Sequence, residues 1–202
     1  PLVTEGASSQ FIVYLSNSSS SETLLDINLV AGTAEAGKDY KGLLSEASFS
    51  AGVSYDPASG KVRVSPGVSS FTVTVETIDD TIDEPSETFS LEVGGKSATT
   101  TILDNDPAPT VKAVAGDTVI EGESAVFTVD LSNSSSTETS YSIKLSGDTA
   151  ESGMDYNALL SQATFSTGAR YDAASGTVKV DANVSNFTVT VATIDDKTDE
   201  SN

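Results

Sequence analysis

Apolar and polar residues alternate one by one through most of this chain. Phe11, Val13 and Leu15 are interleaved with Ile12, Tyr14 and Ser16, and Leu25, Ile27 and Leu29 with Asp26 and Asn28. Phe71, Val73 and Val75 alternate with Thr72 and Thr74, and Phe89, Leu91 and Val93 with Ser90 and Glu92. A period of two puts the apolar set on one face and the Thr, Ser and acidic set on the other, the pattern of a strand half buried in an antiparallel sheet. No window carries a helical stripe. Turn residues separate the runs: a polar loop at Ser16–Ser21, tight turns at Asp56-Pro57-Ala58-Ser59-Gly60 and Ser65-Pro66-Gly67, and a hairpin at Gly94-Gly95. About seven such strands per hundred-odd residues predict an all-β, two-sheet sandwich with Greek-key connections. Tyr55 and Val62–Val64, on either side of the Asp-Pro turn, read equally as an extra hairpin or as an irregular surface loop.

The pattern is also written twice, at an offset of 116 residues and without a gap. Glu5-Gly6 recurs as Glu121-Gly122, Asp39-Tyr40 as Asp155-Tyr156, and Thr77-Ile78-Asp79-Asp80 as Thr193-Ile194-Asp195-Asp196. A period of this length is too long for a solenoid repeat of about 20–50 residues and suits one independent domain. The register places a first repeat at residues 1–106, a linker and the first strand of the next repeat at 107–116, and a second repeat at 117–202. The linker holds Pro107 and Pro109, whose rings stiffen the backbone and remove donors. The second repeat has no counterpart of Glu87–Asp104, the last two strands, and is expected to be truncated. The chain reads as an internal piece of a longer polypeptide. No apolar run approaches the roughly 18 residues of a membrane-spanning helix, so no membrane insertion is expected.

Composition narrows the chemistry. Thirty acidic residues against ten basic ones give a formal charge of −20, a field that repels nucleic acid and anionic membranes. Cys and His are both absent, which removes disulfides, thiolate zinc sites, cysteine nucleophiles and the commonest general base. The acids remain, with two readings: a solvated surface, or ligands for a hard cation. Asp79, Asp80, Asp83, Glu84 and Glu87 crowd one loop with no basic residue among them. Calcium suits such a loop, because it takes about 6–8 oxygens at flexible geometry.

Glu5-Gly6, Gly-x-Asp39-Tyr40, the Phe-x-Val-x-Val strand running into Ile78-Asp79-Asp80, Glu84, Glu87-Thr88-Phe89 and Thr101-Ile102-Leu103-Asp104-Asn105-Asp106 occur in that order. Together they resemble the Calx-beta domain, across the first repeat and as much of the second as is present. The resemblance implies tandem immunoglobulin-like Greek-key sandwiches of seven strands, binding calcium through acids at one end. Carried over by position, the implied ligands are Glu5, Asp39, Asp79, Asp80, Glu84, Asp104 and Asp106 in the first repeat, and Glu121, Asp155, Asp195, Asp196 and Glu200 in the second. The first repeat ends Asp-Asn-Asp where exchanger members of the family carry consecutive aspartates, and the second lacks a closing acidic run, so its site is expected to be weak or empty. Asp39 and Asp155 have an alternative use as turn caps, and Tyr40 and Tyr156 are expected in the core.

The implied role is a structural spacer, similar to the extender repeats of large calcium-dependent bacterial adhesins of the repeats-in-toxin type. Its partners would be neighbouring repeats of the same polypeptide, its place the bacterial cell surface or the extracellular medium. Three rivals stand beside it: a module binding sugar or protein, for which Tyr14, Tyr55, Tyr141 and Tyr171 are the exposed aromatic candidates; a regulatory calcium sensor; and the subunit of a strand-complemented fibre with homotypic contacts. An enzyme is not expected, since the paired acids are too crowded and loop-borne for a dyad set about 5–9 Å apart.

Overall fold

The computed structural model describes residues 1–196. All regular structure among them is strand. The first repeat contributes β1 (Leu2–Thr4), β2 (Ser8–Tyr14), β3 (Thr23–Ala31), β4 (Ser48–Phe49), β5 (Val53–Asp56), β6 (Lys61–Val64), β7 (Ser70–Glu76), β8 (Glu87–Val93) and β9 (Lys96–Leu103). They form one sheet in the order β1-β9-β8-β3-β6-β5 and a smaller one in the order β2-β7-β4. Seven strands were expected from the family resemblance and nine segments are present, of which β1 and β4 are only three and two residues long.

Alternation decides what enters the core. Along β7, Phe71, Val73 and Val75 are buried while Thr72 and Thr74 are only half covered. They meet Ile27, Val62, Val64, Phe89, Leu91 and Ile102 from the other sheet in a single cluster. Phe89 sits at its centre, stacked on Tyr40 (ring centroids 4.2 Å apart, planes 6° apart) and edge-on to Phe11 at 5.8 Å. Ser9 and Thr100 hydrogen-bond through their hydroxyls inside the sandwich, joining β2 to β9 without leaving a buried donor unpaired.

The Asp-Pro turn makes a hairpin, not a surface loop. β5 and β6 pair from Val53↔Val64 to Asp56↔Lys61, and β6 continues onto β3. Val62 and Val64 are almost wholly buried, so the hairpin is part of the sheet. Asp56 shapes its turn, accepting from the Ala58 amide at 3.1 Å and from the Ser59 hydroxyl at 2.7 Å. At the other hairpin Gly94 and Gly95 take φ of 55° and 77° between Val93 and Lys96, the two left-handed positions of a tight primed turn.

The second repeat contributes β10 (Val111–Gly116), β11 (Ser124–Leu131), β12 (Thr139–Tyr141), β13 (Thr164–Phe165), β14 (Ala169–Asp172), β15 (Thr177–Val180) and β16 (Asn186–Ala192). Two sheets result, β10-β11-β16-β13 and β12-β15-β14. Their shared core holds Val129, Leu131, Val178, Val180, Phe187, Val189 and Val191. Tyr141 and Tyr171 pack against this core and Tyr55 against the first, which removes three of the four aromatic candidates for an exposed binding face. Tyr14 alone stays open, at 77% exposure. By compactness the chain divides into one unit of Pro1–Asp80 with Pro85–Asn105, and another of Thr81–Glu84 with residues from Asp106 onward. No helix of the described residues is long and apolar enough to cross a membrane.

Candidate metal centre

The acids of the first repeat sit where strands end. β1 lies parallel to β9, with Thr4 opposite Leu103, so Glu5 and Asp104 leave the sheet side by side. The Glu5 amide donates to the Leu103 carbonyl at 2.9 Å, and Glu5 is only 9% exposed. Its Oε1 accepts the Asp80 amide at 3.1 Å, which ties the end of β1 to the loop after β7. Gly6 follows with φ of +75°; a Cβ there would lie 2.9 Å from Asp79 Cβ, so the backbone approaches Asp79 more closely than any side chain permits. Thr77, buried, closes the same corner by donating its hydroxyl to Ala7 O at 2.7 Å.

Glu5, Asp104 and Asp106 bring one carboxylate oxygen each within 4.8 Å of the others. Two oxygens bound to one calcium at about 2.4 Å cannot be further apart than about 4.8 Å, so the spacing fits a shared ion. All donors are hard oxygens, and with no Cys or His in the chain a softer metal has no ligand to prefer. Asp39, Glu84 and Glu87 form a second group with the same spacing. Sequence reasoning placed Glu87 in the acidic run but not among the ligands; its place at the head of β8 puts it at the edge of a strand whose alternation was read for packing.

Asp39 caps a turn and also lies within reach of two other acids. Its Oδ2 accepts the Glu35 amide, capping the turn that precedes Tyr40, and its carboxylate also joins the second group. The Asp39 carbonyl accepts Ile78 N at 2.9 Å, fixing this turn to the end of β7. Tyr40 is 1% exposed, as expected of a core residue, and burial followed by the Asp39 charge pushes its hydroxyl above the usual range, so it stays neutral. Asp79 and Asp80 are exposed and join neither group of three. Asp79 Oδ1 instead accepts the Asn105 side-chain amide at 3.0 Å, so the residue that interrupts the aspartate run restrains a neighbouring acid.

The second repeat keeps the scaffold with fewer acids in reach. Glu121 Oε1 accepts Asp196 N at 3.0 Å, and Asp155 Oδ2 accepts Glu151 N at 2.6 Å, the same bonds as Glu5 and Asp39 make. Gly122 stands against Asp195 as Gly6 does against Asp79. Among the described residues no group of three acids forms there, and Glu121, Asp195 and Asp196 are exposed. Glu200 lies outside the described residues.

The model of the Calx-beta domain matches the chain three times, at residues 3–54, 45–118 and 104–170. Among solved structures, CBD12 from CALX1.2 is similar at 20% identity with a TM-score of 0.40, over 96% of this chain and 72% of that one. The calcium binding domain CBD12 of CALX1.1 is similar to the same degree, 20% identical with a TM-score of 0.40 and the same coverage of 96% and 72%. The apo form of the Calx CBD1 domain reaches 24% identity with a TM-score of 0.38, over 52% of this chain and 88% of that one. No curated protein sequence matches the chain.

Proposed function

This chain belongs to the Calx-beta domain family, and from that premise we propose that it is a calcium-stiffened spacer of a large, exported surface adhesin. The observation that carries the metal reading is the convergence of Glu5, Asp104 and Asp106 within 4.8 Å. The β1–β9 pairing fixes the backbone that leads into Glu5 and Asp104, so part of the ordering cost is met by the fold before an ion arrives. Calcium would supply charge neutralisation and nothing catalytic. The protein's part is to hold the carboxylates together, with the Asp80 amide donating to Glu5 Oε1 and the Glu5 amide donating to the Leu103 carbonyl, against their mutual repulsion. Asp39 and Glu87 would hold a second ion with Glu84.

Where these residues stand in the chain supports a mechanical role. Asp104 and Asp106 immediately precede Pro107-Ala108-Pro109, so an ion held there fixes the entry to a linker that its prolines already stiffen. A string of such repeats would then stand as a rod in calcium and relax without it. Support for a spacer is the tandem unit, repeated without a gap at an offset of 116 residues, which suits length better than catalysis. A regulatory calcium-sensing pair is the second reading, favoured by the difference between the repeats: only the first assembles acids in groups of three among the described residues.

Small-angle scattering of the two-repeat chain in calcium and in chelator tests the mechanical claim. The spacer reading expects a narrower distribution of dimensions with calcium, lost in Asp104→Asn. Equal profiles in both conditions, with calcium bound by calorimetry, would leave an ion site without a mechanical role and overturn the spacer.

A further inference from the structure

The Ser-rich loop of the second repeat does a job that composition alone hides. The segment Thr81–Glu84, part of the second compact unit, lies across it. Asp83 N donates to Ser134 O at 3.1 Å, and Asp83 O accepts from Ser136 N at 2.9 Å and from the Ser135 hydroxyl at 3.1 Å. Asp83 and Ser135 thus pair as a one-residue parallel bridge, and Ser135 is 3% exposed. The loop's shape is set from inside: Thr137 N donates to Ser135 Oγ at 3.2 Å, and Asn183 N donates to Ser135 O at 2.7 Å. Only the backbone of Asp83 is read.

The first repeat carries the same loop as Asn17-Ser18-Ser19-Ser20-Ser21, and it is already folded the same way. Ser21 N donates to Ser19 Oγ at 3.1 Å, Gly67 N donates to Ser19 O at 2.8 Å, and Asn17 Nδ2 donates to Ser18 O at 3.1 Å. The Asn133 amide makes the matching contact to Ser134 O at 3.3 Å while that carbonyl also accepts Asp83 N, so the contact does not block docking. Ser18 and Ser20 are exposed, and Ser19 is more open than the buried Ser135.

We infer that the Asn17–Ser21 loop is a docking site for the extended acidic segment of another repeat, of the Thr-Ile-Asp-Glu-Pro type. The occupant's Asp would pair with Ser19, its N–H on Ser18 O and its carbonyl on Ser20 N and the Ser19 hydroxyl. Three hydrogen bonds read through the backbone tolerate variation in the partner's side chains, and their form resembles strand addition limited to one residue. The contact uses no carboxylate and no metal, so it goes beyond the calcium reading and stands or falls separately from it. It supplies a head-to-tail specificity: each repeat would offer one loop and one segment.

The test is an amide-resolved NMR titration of the two-repeat chain with a synthetic peptide of the sequence of residues 79–88. It is run in chelator and at physiological salt, which screens the repulsion between two acidic partners. Shifts confined to Ser18–Ser20 and Gly67 are expected at millimolar peptide, with Ser134–Ser136 unmoved because their own segment occupies them. A peptide with proline at the position of Asp83 lacks the N–H donor and should lose the effect at least tenfold. No change at Ser18–Ser20 to millimolar peptide, equal change in both loops, or equal binding of the proline peptide would each overturn the inference.

Discussion

Gly6→Ala separates two costs that the structure assigns to different atoms. The residue sits at φ of +75°, and an alanine Cβ would meet Asp79 Cβ at 2.9 Å. The left-handed backbone alone costs a non-glycine residue about 1–2 kcal/mol. The clash adds to it, because carbon atoms prefer about 3.5–4.0 Å and Asp79 Cβ, next to the main chain, cannot swing away as a side-chain tip would. Forcing an atom into such a contact costs typically about 1–3 kcal/mol. Gly60→Ala is the control: φ is +68° and nothing lies within 4 Å of the position its methyl would take, so only the backbone cost applies. The two variants should therefore differ by roughly 1–3 kcal/mol in chelator, a Tm gap of about 4–24 °C for a domain of this size. Differential scanning calorimetry of the first unit's transition reads it directly. Calcium should widen the gap, since displacing Asp79 disturbs the corner that holds Glu5, and each tenfold loss of affinity removes up to about 1.4 kcal/mol of ligand stabilisation. Equal Tm losses for the two variants would refute the claim that Gly6 is glycine because of Asp79.

Two further outcomes follow from the packing and the turns. Phe89→Ala empties the space between Tyr40 and Phe11 and should cost about 3–5 kcal/mol in urea unfolding, with Tyr40 fluorescence changing in the folded state. The Asp56 carboxyl is held below its ordinary 3.8 by the Ser59 hydroxyl first and Arg63 next, and Asp172 likewise by Ser175 and then the Ala174 amide. A folded pKa below the unfolded one gives stability that is present above pH 3.8 and lost as pH falls through the lower folded value. The Asp56→Asn, Asp172→Asn double variant should therefore show a flatter fall in Tm below pH 3.8 than the parent chain, and parallel curves would contradict the assignment.

The long strands were legible because their cores are built from strict alternation. β7 and β16 carry Phe-x-Val-x-Val, and the buried set is the one the period picks out. β1 was harder: Leu2–Thr4 is three residues long and gains its pairing from distant β9. Every position of Val111–Gly116 is exposed, so no apolar face marks β10, and the repeat register alone placed a strand within 107–116. The β5–β6 hairpin stood even with a loop in the sequence, since four-residue strands hold too few alternations; burial of Val62 and Val64 decides for the hairpin. At the site, the acidic run was legible as charge but not as geometry. Asp79 and Asp80 look equivalent to Glu84 and Glu87 along the chain, yet the first two face outward and the others join Asp39. That sorting depends on where β7 ends and β8 begins, which spacing alone does not give.

Isothermal titration of calcium into the chelator-stripped chain tests the central claim most directly. The comparison is with the Glu5→Gln, Asp104→Asn variant, in which the introduced glutamine keeps a side-chain oxygen for the Asp80 amide while both charges are lost. Binding to the parent chain is expected with a heat that the variant loses, no change in far-ultraviolet dichroism, and full retention in Asp195→Asn, Asp196→Asn. Undiminished calcium binding by the Glu5→Gln, Asp104→Asn variant, or loss of binding on changing Asp195 and Asp196 instead, would contradict it.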